Sequence, residues 1–291
     1  MELISIDLAI EQLKKGELVA FPTETVYGLG APIFNEKAIA QIFKAKGRPA
    51  DNPLIAHISS LDQLNQIAVD IPDDFYTLAT SFFPGPLTVI LKRHRDVPRM
   101  ASGGLDTIAV RMPDHPIARQ LIEGVGEPLV APSANLSGKP SSTTALHVLT
   151  DFAQVSGFVV DGGSTELGIE SSVVNLVTKT MLRPGTIAQR EIEAVLGYSL
   201  KAGSEKASPG MRYRHYCPEA RVILFTDRKK FDDSSSSHKY DHLTMANLYA
   251  TLRQADEKGV EEISIFCDAE MLKNRGLMDR LQRASCTNFQ R

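Results

Sequence analysis

Apolar positions along the chain alternate between helical and strand periods, which predicts a mixed α/β protein. Ile6, Ile10 and Leu13 are spaced for a helix over 6–15 that stops at Gly16, and the run Leu18-Val-Ala-Phe21, ending at Pro22, predicts a strand over 18–22. After an opening loop, Asn35 is placed to cap a helix that carries Ala38, Ile39, Ile42 and Phe43 on one side and leaves at Lys46-Gly47-Arg48-Pro49. Further strands are predicted over 54–58, 87–92, 107–112, 129–131, 157–160 and 171–177, with helical stretches over 61–68, 73–82, 115–123, 144–151 and 189–196. The basic, glycine-containing connection 93–104 predicts an exposed, flexible segment. These elements make a first domain over 1–198. Residues 199–218 break the rhythm as a linker whose second half, Met211-Arg-Tyr-Arg-His-Tyr-Cys-Pro218, is dense in basic and aromatic groups. A strand over 221–225, a helix near 244–256, a strand over 263–266 and a last helix predict a small α/β domain over 219–291, split by the serine-rich run 232–238, which is expected to be mobile.

Against this pattern the polar stretches gather at strand ends. Pro22-Thr-Glu-Thr-Val-Tyr-Gly-Leu-Gly30 follows the first apolar run, Lys46-Gly-Arg-Pro-Ala-Asp-Asn-Pro53 follows a helix, and Pro132-Ser-Ala-Asn-Leu-Ser-Gly-Lys-Pro140 follows another strand. Loops at the carboxyl ends of strands are the usual ligand positions in α/β proteins, and glycines let a ligand approach the backbone; an ordinary strand-to-helix turn would look the same. Lys46, Arg48, Arg111 and Arg183 all fall at or beside element ends, where they could converge on phosphate or carboxylate oxygens at about 1.5–3 kcal/mol per charge-assisted bond. A lone lysine or arginine is usually solvated surface charge, but Arg111 directly follows Ile108-Ala-Val110, and a buried cation demands an anion. His57, inside an apolar strand, fits a satisfied core histidine as well as a ligand-facing one; Ser133 and Asn135 fit turn caps as well as ligand donors.

Composition adds mainly exclusions. The 291 residues, 43% apolar and 23% charged with a formal charge of −3, describe an ordinary globular chain with no surplus of positive charge for coating nucleic acid. Cys217, Cys267 and Cys286 are odd in number and outside any C-x-x-C pattern, which suits a reducing compartment and argues against a disulfide frame or a zinc site. The amino terminus lacks a signal peptide's basic region and no apolar run is long enough to cross a bilayer, so a cytoplasmic location is expected. Gly138-Lys139 lacks the upstream glycine of a Walker A motif and is followed by proline; Gly28-Leu-Gly30 lacks the third glycine of a dinucleotide fingerprint. No H-E-x-x-H or G-x-S-x-G motif occurs.

Four ordered motifs closely resemble the YrdC-type threonylcarbamoyl-AMP synthases: Pro-Thr-Glu-Thr-Val-Tyr-Gly-Leu-Gly at 22–30, Lys-x-Arg-Pro-x-x-Asn-Pro-Leu at 46–54, Ile-Ala-Val-Arg-Met-Pro at 108–113 and Ala-Pro-Ser-Ala-Asn-x-Ser-Gly at 131–138. Glu-Ser-Ser-Val-Val at 170–174, Leu-Arg-Pro-Gly at 182–185 and Ser-Pro-Gly-Met-Arg-Tyr-Arg-His-Tyr at 208–216 resemble that family's longer, two-domain form. The tail resembles its carboxy-terminal domain through Ala246-Asn-Leu-Tyr249 and Met278-Asp-Arg-Leu281 but is short, so a shortened domain is expected.

The resemblance implies an α/β fold, a twisted mixed sheet with flanking helices and a concave active-site cavity, plus a small Rossmann-like domain. It implies that L-threonine, bicarbonate or CO2 and ATP give threonylcarbamoyl-AMP and pyrophosphate, with Mg2+ on the phosphates and a tRNA-modifying transferase complex as acceptor of the product. Carried over residue by residue, Lys46 and Arg48 would be catalytic and, with Asn52, hold the triphosphate; Thr107, Ala131, Asn135, Ser141 and Arg183 would add nucleotide contacts. Thr25, His57, Arg111, Ser133 and Ser171 would surround the threonine, and Tyr213, His215 or Tyr216 would fold over the ATP as a lid. A different class of protein, a double-stranded RNA or tRNA-binding module without turnover, would use much the same cations along a groove and bind with a steep salt dependence.

Overall fold

The computed structural model describes residues 1–203 and 215–285. Where the sequence carries both periodicity and caps, the elements form at the expected places. Helix Ile6–Lys15 begins at Ser5, whose side chain accepts from the Leu8 amide, and ends at left-handed Gly16; helix Glu36–Lys46 begins at Asn35, which accepts from the Ala38 amide at 3.1 Å, and ends at left-handed Gly47. Gly47 turns the chain so that Arg48 leaves helical geometry at once, and the guanidinium folds back onto the carbonyls of Asn52 and Pro53.

A twelve-stranded mixed sheet organises the first unit. From edge to edge it runs Glu2–Leu3, Phe158–Val159, Val19–Phe21, Gly28–Pro32, Leu129–Val130, Ile55–His57, Thr107–Arg111, Leu87–Arg93, Ser172–Asn175, Thr180–Arg183 and Lys201–Ala202, with Ala68–Val69 pairing to Leu87–Arg93 off this path. Strand Gly28–Pro32 was not expected, since its glycines and proline read as turn signals. It forms because it pairs on both sides, and because Gly30 leaves room for the Phe21 ring, which a Cβ would meet at 2.5 Å.

Register decides where the site lies. Ile55–His57 and Thr107–Arg111 run parallel, with Ile55 opposite Ala109 and His57 opposite Arg111. Side chains alternate across a strand, so Ala56 and Val110 go to one face and join the main core with helix residues Ile39, Ile42 and Leu78. Ile55, Ala109, His57 and Arg111 go to the other face, where Ile55 and Ala109 pack with Ile90, Val173 and Leu182. That second face, rather than the strand ends, becomes the floor of the cavity.

Two expectations about loops change. The 93–104 connection is not a free segment: Ala101 and Ser102 are buried, the Ala101 carbonyl accepts from the Leu54 amide at 2.9 Å, and Gly103, at φ +60, lies against the Asp51 backbone. The serine run after Asp232 is likewise tied down, with Ser234 donating to the Phe231 carbonyl at 2.7 Å and Ser236 to the Glu262 carbonyl at 3.0 Å. It leads into strand His238–Tyr240, which flanks Glu262–Phe266 opposite Arg221–Phe225 in a three-stranded parallel sheet. The cysteine expectation is corrected at Cys217, which is disulfide-bonded; Cys267 is free and buried. Among the described residues no helix is long and apolar enough to cross a membrane.

The second unit's core, built on Val222, Leu224, Ile263, Leu252 and Leu281, also takes in Val26 and Ile169 from the first. Helix Arg275–Ser285 approaches so closely that a Cβ on Gly276 would meet the Gly185 carbonyl oxygen at 2.4 Å. Gly276→Ala is therefore expected to destabilise the protein by about 1–3 kcal/mol, read as a lower urea midpoint; an unchanged midpoint would show that the two backbones are not in contact.

Candidate active site

The 22–27 loop is folded by one hydroxyl. Thr23 Oγ1 donates to the Val26 carbonyl at 2.6 Å, accepts from the amides of Thr25 and Val26 at 3.2 Å each, and lies 2.8 Å from Thr25 Oγ1. Tyr27 anchors the loop's exit, its hydroxyl donating to the Gly163 carbonyl at 2.8 Å and accepting from the Gly162 amide at 3.1 Å. An antiparallel bridge between Gly28 and Ser133 brings the 132–140 loop alongside. Lys46 locks it there: buried, its ammonium donates to the carbonyls of Ser133, at 2.5 Å, and Asn135.

These loops close over the sheet face to form one cavity of about 60 Å³. It is lined by Thr25, His57, Arg111, Ser133 and Ser171, by Arg48, Ala131, Asn135 and Arg183, and by His215 and Tyr216. Lys46, Asn52 and Ser141 stand behind the wall: Lys46 on the two carbonyls, Asn52 fully buried with its carbonyl accepting from Arg48 Nε at 3.3 Å, and Ser141 donating to Glu170 Oε1 at 2.5 Å. Thr107 is not brought to the cavity; it sits at the far end of Arg111's strand, paired with Lys92 and about 13 Å away at the strand rise. Tyr213 lies outside the described residues.

Cations dominate the walls. Burial, then the neighbouring charge of Arg48, holds the Lys46 ammonium well below its ordinary range, and burial lowers Arg48 to about 10 with Arg183 pushing the same way. Burial likewise lowers Arg183, whose Nε donates to the Ser171 carbonyl and Nη2 to Ser171 Oγ, both at 3.1 Å. His57 and His215 each fall to about 3, through burial first and then the charges of Arg111 and of Arg48 with Lys46 respectively. His57 Nδ1 lies 3.0 Å from the Ile55 carbonyl, which fixes the neutral tautomer with the proton on Nδ1 and leaves Nε2 as an acceptor. The one acidic residue among the cavity's lining groups, Glu170, is already engaged. Burial would raise its carboxyl, but Arg280 and Arg183 outweigh that and hold it at about 2.

A family model described as "Telomere recombination" (Sua5, YciO and YrdC) matches residues 11–185, and one described as the C-terminal domain of threonylcarbamoyl-AMP synthase matches 187–245 and 234–286. The chain is 43% identical to a threonylcarbamoyl-AMP synthase of Pyrococcus abyssi, over 96% of this chain and 94% of the relative. The chain belongs to the threonylcarbamoyl-AMP synthase family. It is also 49% identical to the Bacillus subtilis synthase, over 94% of this chain and 90% of that one. The solved structure of P. abyssi Sua5 complexed with L-threonine superposes with a TM-score of 0.90 at 40% identity, covering 98% of this chain and 97% of that one.

Two residues of the family's motifs acquire partners that sequence reasoning missed. Glu24, between the two threonines of the 22–27 loop, forms an ion pair of 2.6 Å with Arg111, both side chains being almost wholly buried. The contact is ionic rather than directional, since Arg111 Nη2 and the two carboxylate oxygens complete no aligned hydrogen bond; Arg111 Nε donates instead to the Gly85 carbonyl at 3.3 Å. Glu170 is the second. The signal in each case was an acidic residue inside a polar motif beside an apolar run, but the partner lies far away in the chain.

Glu24→Ala leaves Arg111 buried without its counter-charge and is expected to cost about 3–5 kcal/mol in chemical denaturation, a loss that a surface ion pair would not produce. His57 supplies a pH signature. Its folded pKa lies below the unfolded value of about 6.5, so the unfolded state binds the extra proton and stability falls as pH drops from neutrality towards 4. The urea midpoint of His57→Gln should fall less over that range than the wild type's, although His147 and His215, lowered in the same way, keep part of the slope; equal slopes would show His57 to be accessible to protons when folded.

Proposed function

We infer that the chain makes threonylcarbamoyl-AMP from L-threonine, bicarbonate or CO2 and ATP, releasing pyrophosphate, to supply the threonylcarbamoyladenosine modification of tRNA next to the anticodon. The observation that carries this reading is one cavity lined by Arg48 and Arg183, backed by Lys46, together with Arg111, His57 and Thr25. Desolvated cations that depress one another are poised for a polyanion, whose phosphates would relieve their mutual repulsion. Arg111, already ion-paired, is the group to receive the threonine carboxylate. The threonine amine attacks CO2 to give a carbamate and a released proton; a carbamate oxygen then attacks the α-phosphorus and the bond to pyrophosphate breaks. Neither step needs a protein nucleophile, so orientation and charge stabilisation carry the catalysis. Lys46 supports both by fixing the 133–135 backbone and placing a positive charge behind it.

A volume of about 60 Å³ cannot hold nucleotide and amino acid together, against the roughly 300–1,000 Å³ usual for small-molecule sites. In this reading His215 and Tyr216, which line the cavity, withdraw to admit ATP and return to exclude water from the labile product. Mg2+ enters as the metal of the ATP complex, held by phosphate oxygens and water; among the described residues no cluster of three or more acidic, histidine or cysteine side chains stands ready to hold it. The product passes to a threonylcarbamoyl transferase in the cytoplasm. A groove-tracking RNA-binding role fits less well, because Lys46, Arg48, Arg111 and Arg183 are all at most 9% exposed and phosphate tracking needs cations at the surface.

Incubating the protein with ATP, bicarbonate and threonine should release pyrophosphate only when threonine is present. Arg48→Ala should lower that release by about 10²-fold or more with its denaturation midpoint little changed. Tight RNA binding without threonine-dependent release would overturn the assignment.

A further inference from the structure

The cavity wall nearest Arg48 and Arg183 is held from outside the first unit. Glu170 and Tyr216 both line it. Glu170 Oε2 accepts from the Tyr249 hydroxyl at 2.9 Å and from Arg280 Nε at 2.8 Å, while Oε1 takes the Ser141 hydroxyl. Tyr249 and Arg280 are fully buried. The same two side chains contact Tyr216: its ring stacks on Tyr249 with centroids 5.5 Å apart and planes at 28°, and the Arg280 guanidinium lies 5.2 Å from its centroid. Arg280 Nη1 also donates to the Pro184 carbonyl at 3.0 Å, the residue directly after Arg183. Two lining residues, Glu170 and Tyr216, and the residue that follows a third, Arg183, therefore meet on one guanidinium.

Tyr216 needs such support. Its φ of +65 is a left-handed conformation that costs a non-glycine residue stability and persists only where the surroundings over-determine it. A buried ring in contact with an aromatic face and a guanidinium has that constraint, whereas a surface ring does not. The polar partners of Thr25, Arg111 and His57 come from the first unit: Thr23 for Thr25, Glu24 and Gly85 for Arg111, and the Ile55 carbonyl for His57.

We propose that Tyr249 and Arg280 are positioning residues for the synthase, which act through Glu170 and Tyr216 to set the nucleotide side of the cavity rather than the polar contacts that hold Thr25, Arg111 and His57. This gives the carboxy-terminal unit a direct part in the reaction rather than a role as an appended domain. The inference rests on the synthase reading above.

The test is a KM comparison on the full-length protein. Tyr249→Phe removes one hydrogen bond to Glu170 and keeps the stacked ring; Arg280→Lys keeps the charge and removes the fork that reaches Pro184. Each is expected to raise the KM for ATP about tenfold, with the KM for threonine unchanged within twofold, and to weaken ATP binding to the same extent in calorimetry. Arg280→Lys opens a buried ion pair and can fail to fold, so Tyr249→Phe, with its urea midpoint measured alongside, carries the decision. An unchanged ATP KM in a folded Tyr249→Phe, or an equal rise in both KM values, overturns the proposal. Wild type that shows no threonine-dependent pyrophosphate release overturns the synthase reading instead, so the two failures are distinguishable.

Discussion

The cost of burying positive charge shapes this molecule. Arg48, Arg111 and Arg183 line one cavity, with Lys46 behind its wall, and all four are almost out of reach of water, where an uncompensated cation is expensive and like charges repel. The protein answers each differently. Arg111 receives a carboxylate from Glu24, Lys46 receives two backbone carbonyls, Arg48 receives the carbonyls of Asn52 and Pro53, and Arg183 receives Ser171. On the phosphate side Lys46, Arg48 and Arg183 outnumber the one lining carboxylate, Glu170, which Arg280 also engages, so that side keeps an excess of positive charge. The amino-acid side holds its own anion in reserve. That asymmetry gives the cavity a polarity along which a zwitterion and a polyphosphate would sort themselves.

How much of this was legible in the sequence varies with the range of the interactions involved. Helices Ile6–Lys15 and Glu36–Lys46 match their predicted bounds because periodicity and caps are local signals. Strand Gly28–Pro32 was invisible because its pairing partners, not its own residues, make it a strand. Alternation told that Ile55 and His57 share a face; it could not tell that this face stays open while Ala56's is packed. Strand-end loops therefore seemed the natural ligand site, although the floor is a sheet face.

Residue types followed the same rule. Arg111 could be singled out because a cation after an apolar run needs an anion, yet nothing local names Glu24 as that anion. Thr107 shows the converse: the motif that carries Arg111 includes the strand on which Thr107 stands, but a strand extends in one direction, and its two ends cannot both reach a small cavity. The roles of Tyr249 and Arg280 were beyond reach of pattern reading, since each lies on an amphipathic helix where a buried polar side chain passes for an ordinary member of the buried stripe.

Val26 belongs to the loop that presents Thr25, yet its side chain joins the buried cluster that holds Leu248, Leu252 and Ile263 of the second unit, as does Ile169 beside Glu170. The apolar backing of both substrate-facing segments is thus lent by another part of the chain. The first unit keeps a main core of its own, but Val26 and Ile169 are buried with the second. Translation makes the catalytic motifs first, but part of their apolar backing comes from residues that follow them in the chain.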